Sequence, residues 1–124
     1  MGDIGSPRPE RDAAEQPAGP ETARLREALR SGSPPQRAAA IRSARPAPGV
    51  EGVLVEALED PDPTVRAAAA RALGGVARTR GGRALIRASA EDPSPTVRAE
   101  AVGALGEWLS RFRQGNPSAR ARRG

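Results

Sequence analysis

The sequence predicts an all-α superhelix: a short solenoid of three stacked helix pairs. Three observations carry that expectation. The stretch Asp60-Pro61-Asp62-Pro63-Thr64-Val65-Arg66-Ala67 returns 32 residues on as Asp92-Pro93-Ser94-Pro95-Thr96-Val97-Arg98-Ala99, a period at which self-similarity marks stacked supersecondary units. Between those turns the apolar residues recur at three- and four-residue spacing, the period of a helix face. A third, degenerate copy lies upstream, where Pro34 and Arg37 align with Pro63 and Arg66 at a step of 29.

The elements follow in order. Residues 1–19 mix prolines and glycines with scattered charges (Asp3, Glu10, Asp12 and Glu15 against Arg8 and Arg11) and read as a disordered arm. Pro20 suits the first turn of a helix running to about Arg30, with Leu25, Ala28 and Leu29 on one face. Ser31-Gly32 ends it. Ser33 caps the second helix, with Pro34 at its first position, and Ala38 and Ile41 point inward until Pro46, Pro48 and Gly49 break the chain. The third helix spans about Val50 to Leu58, with Val50, Val53, Leu54, Ala57 and Leu58 as its stripe and Val55 more exposed. Asp62 and Pro63 open the fourth, which buries Val65, Ala68, Ala69, Ala72, Leu73 and Val76. A basic, flexible connector, Arg78 to Arg83, leads to a fifth helix from about Gly82 to Ala90 containing Leu85 and Ile86. Ser94 and Pro95 open the sixth, which runs through Val97, Ala101, Ala104, Leu105, Trp108, Leu109 and Phe112. Residues 114–124 read as a disordered basic tail. The folded unit is therefore 20–113, divided into repeats at about 20–48, 49–78 and 79–113.

Composition narrows the chemistry. The 124 residues contain neither cysteine nor histidine, which removes disulfides, thiolate catalysis, the commonest metal ligand and the commonest general base. No cofactor is expected, and no enzyme. Aromatic residues make up 2% of the chain and much of the apolar content is alanine, so burial contributes modestly: each CH₂ is worth about 0.8 kcal/mol. The net charge of +5 comes from arginine alone, a bias that a GC-rich coding sequence explains as well as selection for guanidinium groups does. There is no apolar leader and no run approaching the roughly 18 apolar residues of a membrane span. The expectation is a soluble cytoplasmic protein with no membrane contact.

The two clear copies read Asp-Pro-x-x-x-Val-Arg-x-x-Ala-x-x-Ala-Leu-Gly, as Asp60 to Gly74 and Asp92 to Gly106. This resembles the HEAT repeat, in the short bacterial variety also found in the phycobilisome-lyase-like group, over about Glu21 to Phe112. The resemblance implies helix pairs stacked into a superhelix whose second helices line a concave side used for partner proteins. It also implies a structural ladder: Asp60 with Arg66, and Asp92 with Arg98, tying the turns and neighbouring repeats. Because Ser31 replaces the aspartate in the first copy, the ladder is expected to be incomplete beside Arg37. The deoxyhypusine hydroxylases resemble this group and hold iron through His-Glu pairs, an activity that a chain without histidine cannot inherit.

Two surfaces are candidates for a partner. One is apolar: Leu105, Trp108, Leu109 and Phe112 form a stripe on the last helix, with Trp108 aligned to Val76 in the core and Leu109 and Phe112 beyond it; internal packing is the favoured reading of this stripe over a surface for a partner protein or self-association. The other is basic. Arg42 and Arg71 occupy equivalent positions, and Arg78, Arg80, Arg83 and Arg87 gather round one connector as candidate phosphate contacts. Gly103 breaks the Arg42 and Arg71 series, Glu100 and Glu107 add negative charge, and Trp108 and Phe112 are the only aromatics for base stacking. The favoured function is a non-catalytic protein-interaction scaffold; a nucleic-acid accessory protein is the alternative.

Overall fold

The computed structural model describes residues 19–114, and within them six helices form three antiparallel pairs. They are α1 (Pro20–Ser31), α2 (Pro34–Ser43), α3 (Val50–Ala57), α4 (Pro63–Val76), α5 (Thr79–Glu91) and α6 (Pro95–Gln114). The first helices α1, α3 and α5 make one layer and the second helices α2, α4 and α6 the other. The heaviest packing is α4 on α6, followed by α5 on α6 and α2 on α4. This is the all-α repeat stack that the sequence predicts. Residues 1–18 of the arm and 115–124 of the tail lie outside the described residues; Gly19, assigned to the arm from sequence, is the residue that caps α1, and Gln114, assigned to the tail, is the last residue of α6.

Each second helix starts by the same local device. Ser33 Oγ accepts the Gln36 N–H at 3.3 Å while the Gln36 side chain accepts the Ser33 N–H at 2.8 Å, a full capping box. Gln36 looks like a degenerate repeat position because it stands where Val65 and Val97 do. In the structure it is the other half of the cap. Asp62 accepts the Thr64 N–H at 2.8 Å, Ser94 accepts the Val97 N–H at 3.3 Å, and a proline follows each cap. Gly49, ahead of α3, is the one described residue with positive φ, at 86°, a backbone region closed to most side chains.

The core is narrow and rich in alanine. Ile41, Val53, Leu54, Val65, Leu73, Leu85 and Val97 are fully buried, joined by Ala38, Ala69, Ala70 and Ala101. Small residues let the second helices approach closely, so packing contributes through backbone proximity rather than large apolar area. Thr22, a buried polar residue absent from the predicted core, donates its hydroxyl proton to the Pro48 carbonyl at 2.8 Å and ties α1 to the loop before α3.

The fifth helix corrects the sequence reading. It begins at Thr79, not Gly82, so Arg80 and Arg83 are helical and only Ala77 and Arg78 connect α4 to α5. The reason is a cap supplied from α3: the Glu51 carboxylate accepts the N–H of Arg78 at 2.8 Å and of Gly81 at 2.7 Å. It satisfies two of the orphan amides at the α5 N-terminus and places negative charge at the positive end of the helix dipole. Gly81 and Gly82 are not flexible linkers but buried contacts. A methyl on Gly82 would lie 2.5 Å from the Trp108 indole, and one on Gly81 2.5 Å from the Ala77 methyl. Two results are expected here. Glu51→Ala costs about 1 kcal/mol in denaturant unfolding, the typical worth of a lost N-terminal cap. Gly82→Ala displaces Trp108, the chain's single tryptophan, and red-shifts its fluorescence while helicity is kept; an unchanged spectrum would contradict the Gly82–Trp108 contact.

Candidate functional site: the arginine ladder and the end of the stack

The repeated arginines all use one geometry with a shifted partner. Arg37 Nη1 donates to the Gly32 carbonyl at 2.8 Å, Arg66 Nη1 to the Asp60 carbonyl at 2.9 Å, and Arg98 Nη1 to the Asp92 carbonyl at 2.8 Å. Each thus ties the turn within its own repeat. The remaining edge of the guanidinium reaches forward. Arg37 Nε and Nη2 grip the Asp60 carboxylate at 2.8 and 2.9 Å, and Arg66 Nε and Nη2 grip Asp92 at 3.0 and 3.1 Å. Both pairs are two-point forks, the strongest arrangement open to these groups.

The carboxylate therefore belongs to the following repeat, which corrects the expected pairing. Arg66 bonds the backbone of Asp60, not its carboxylate, and Arg98 stands in the same relation to Asp92. The ladder is complete beside Arg37, because Asp60 fills that rung; replacement of aspartate by Ser31 removes only a rung that would face an earlier repeat. Its open end is Arg98. Among the described residues no carboxylate accepts from the forward edge of Arg98.

Burial makes the two closed rungs consequential. The side chains of Asp92 and Arg66 are 7% and 13% exposed, those of Asp60 and Arg37 12% and 15%. Burial pushes the two carboxyls up, but the hydrogen bonds from Arg37 and Arg66, the backbone N–H of Asp62 and of Ser94, and the nearby positive charge outweigh it and hold both below the usual aspartate value. The same hydrogen bonds raise Arg37 and Arg66. These residues are committed to stacking.

The candidate partner residues separate into three groups. Arg42 and Arg71 are exposed on the outside of the second-helix layer. Arg80, Arg83 and Arg87 lie at helical spacing on the opposite side of the molecule, along the exposed face of α5, with the Arg80 guanidinium against Gly52 of α3. Arg78 is exposed at the α5 N-terminus. The structure thus does not join the six arginines into one strip. An open groove of ≈ 550 Å³ runs between α3 and α5, and Arg87 lines it beside Glu59, Glu91 and the Asp92–Arg66 rung.

The apolar stripe on α6 also divides. Trp108 is half-buried over Gly82, with Phe112 stacked on it at 6.2 Å between ring centroids, while Phe112 itself is 63% exposed. Leu109, 50% exposed, faces away from the core beside Val102, which is 59% exposed and was absent from the sequence candidates. Val102 could have been found by extending the arginine alignment: it stands four residues after Arg98, as Ile41 does after Arg37 and Ala70 after Arg66. Arg111, also missed, donates to the Gly74 carbonyl at 3.1 Å and the Ala77 carbonyl at 2.9 Å, closing the C-terminal end of α4.

Among the described residues there is no group of three or more acidic residues placed to hold a metal ion, and no helix is long and apolar enough to cross a membrane. No curated protein and no solved structure matches the chain. The sequence profile of the HEAT repeats family does match, over residues 22–106 and again over 50–121, so that the two matches together span all three helix pairs. With its paired helices, repeated capping turns and inter-repeat arginine forks, the chain belongs to the HEAT repeat family.

Proposed function

We propose that the chain is a non-catalytic protein-interaction scaffold or adaptor. The observation that carries this reading is the uncovered apolar surface of α6, where Val102, Leu109 and Phe112 are each at least half exposed on a rigid helix. Stacked helix pairs are commonly used as scaffolds for other proteins, and large exposed apolar side chains grouped on one face mark interaction sites. A chain with no histidine or cysteine, whose best-buried carboxylates are already held by arginine, has little with which to do chemistry. We place it in the cytoplasm and among the short bacterial HEAT-like proteins related to the phycobilisome-lyase-like group, on the form of its capping turns. The test is affinity capture with the full chain and with the double variant Leu109→Asp, Phe112→Asp. The scaffold reading expects proteins retained by the natural chain and lost with the variant; identical captures would move the binding surface off α6, and no protein retained by the natural chain would overturn the reading.

A second reading rests on the stripe Arg80, Arg83 and Arg87. Three guanidinium groups at one face of α5 can meet successive phosphates of a nucleic acid, while Glu91 and Glu59 close one end of the stripe to anions. Fluorescence anisotropy with duplex DNA decides it: binding that weakens steeply with salt supports this reading, and no binding at low salt removes it.

A further inference from the structure

The stack is finished at one end and unfinished at the other. The surface that receives α6 is Arg66, Ala70 and Gly74 on α4, continued by Ala77 just after it; Ala70 is 0% exposed, Gly74 lies against Ala104, and the Ala77 carbonyl accepts from Arg111. On α2, the surface that receives α4 is Arg37 and Ile41, with Ile41 1% exposed. Carried forward one repeat, the same surface on α6 is Arg98, Val102, Gly106 and Leu109. There Val102 and Leu109 are half exposed or more, and no atom lies within 4 Å of where a Gly106 side chain would begin.

Position by position, then, Ile41, Ala70 and Val102 are equivalent, the first two covered and the third bare, and Arg37, Arg66 and Arg98 are equivalent, the first two forked to a carboxylate and the third not. The opposite end has the character of a terminus. α2 shows exposed Ala39 and Ser43 where α4 buries Ala68 and half-buries Ala72, and α1 is charged along its outer side. Terminal repeats of a stack require such a polar outer face, and α6 does not have one.

We infer that the end face of α6, formed by Arg98, Val102, Gly106 and Leu109, docks a helical hairpin of another polypeptide that presents an acidic turn to Arg98. This rests on the scaffold reading and names its partner by chemistry. The partner's carboxylate takes the forward edge of the Arg98 guanidinium as Asp60 and Asp92 take those of Arg37 and Arg66, and small or apolar residues on its second helix cover Val102 and Leu109. Charge supports an acidic occupant: Arg113 lies one further step along the same face, and Glu100 and Glu107 stand on another side of α6, Glu107 against Gly74 and Gly75. Residues 115–124 contain no acidic residue. A second copy fits poorly, since stacking head to tail brings Ser31, without a carboxylate, to Arg98.

Site-specific photo-crosslinking of the full chain in its own cells tests this. A photoreactive residue is placed at Val102, and in a parallel variant at Arg71 on the outside of the second-helix layer; both positions are exposed, and circular dichroism checks the fold. The expected result is a crosslink from position 102 to a different polypeptide, mapped by mass spectrometry to a helical hairpin at its acidic turn. Its yield should fall about tenfold when Arg98→Glu is added, as expected when a matched charge is reversed at an interface. Crosslinks from 102 only to a second copy, to non-helical or basic segments, or unaffected by Arg98→Glu overturn the inference. Capture from position 71 alone overturns it while leaving the scaffold reading standing; protein capture from neither position overturns both.

Discussion

Leu73→Asp unfolds the domain. Leu73 is 0% exposed, lies in the α4 stripe between neighbouring helices, and has a side-chain carbon 3.2 Å from where a Gly81 methyl would be. An aspartate there must either stay charged among alanine and leucine side chains or take up a proton, and it loses the packing of leucine in both cases. Burying an unpaired polar group and opening a cavity cost together about 4 kcal/mol or more. A small, alanine-rich stack has little beyond that to lose, since whole domains are stable by only about 5–15 kcal/mol. The far-ultraviolet circular dichroism of the variant should show the helical signal lost at 25 °C. Arg80→Ala is the control: Arg80 is exposed, and the variant should keep its helicity. Native helicity in Leu73→Asp would contradict the core described above.

The second large effect belongs to the closed rung between repeats two and three. Arg66→Ala removes the fork from the Asp92 carboxylate, which is 7% exposed in the natural chain, and leaves it only the Ser94 N–H at 2.9 Å. Breaking one side of such a pair is costlier than the pair's net worth, because the remaining charge stays desolvated; roughly 2–4 kcal/mol is expected in urea unfolding. The pH dependence follows from the same geometry. Asp92 and Asp60 have folded-state values held below those of the unfolded chain, so their contribution is fully present above about pH 4, the unfolded aspartate value, and is lost as pH falls through the lower folded values. The natural chain should therefore lose stability below about pH 4, and Arg66→Ala should lose less over that window because its Asp92 is no longer stabilised in the charged form. Equal acid sensitivity of the two proteins would show that the Arg66–Asp92 fork does not set the carboxyl.

What could be read in the chain was whatever depends on near neighbours. The capping turns at Ser33, Asp62 and Ser94, each followed by proline, mark three helix starts within two or three residues, and the helical stripes through Val65, Leu73 and Val97 locate the core. Contacts between repeats were less legible. The Arg37–Asp60 and Arg66–Asp92 forks span 23 and 26 residues, and their direction depends on how one repeat is translated onto the next, which the local motif does not state. Paired within a single motif, Asp60 and Arg66 look like partners; stacked, each belongs to a different rung.

Local propensity places the start of α5 too late for a related reason. Two adjacent glycines after a basic run resemble a linker when only local propensity is considered. Glu51, 30 residues before Gly81, supplies the cap that keeps them helical, and Trp108 supplies the contact that requires their small size. Val102 does not stand out in the sequence, because one valine among alanines and glycines makes no stripe. Its meaning comes from Ile41 and Ala70, which are buried at the same position of earlier repeats.

The end face of α6 makes a direct statement about assembly. It carries Arg98 and Arg113 around Val102 and Leu109 with no carboxylate to meet them from a second copy, so like charges oppose pairing of this face with itself. Light scattering coupled to size-exclusion chromatography, over a concentration series at low and at moderate salt, measures this on the natural chain. The account predicts a monomer at every concentration and both salts, with its open end reserved for an acidic partner. A dimer that persists at both salts and dissociates on Val102→Asp would contradict it, and would make a second copy the occupant of that face.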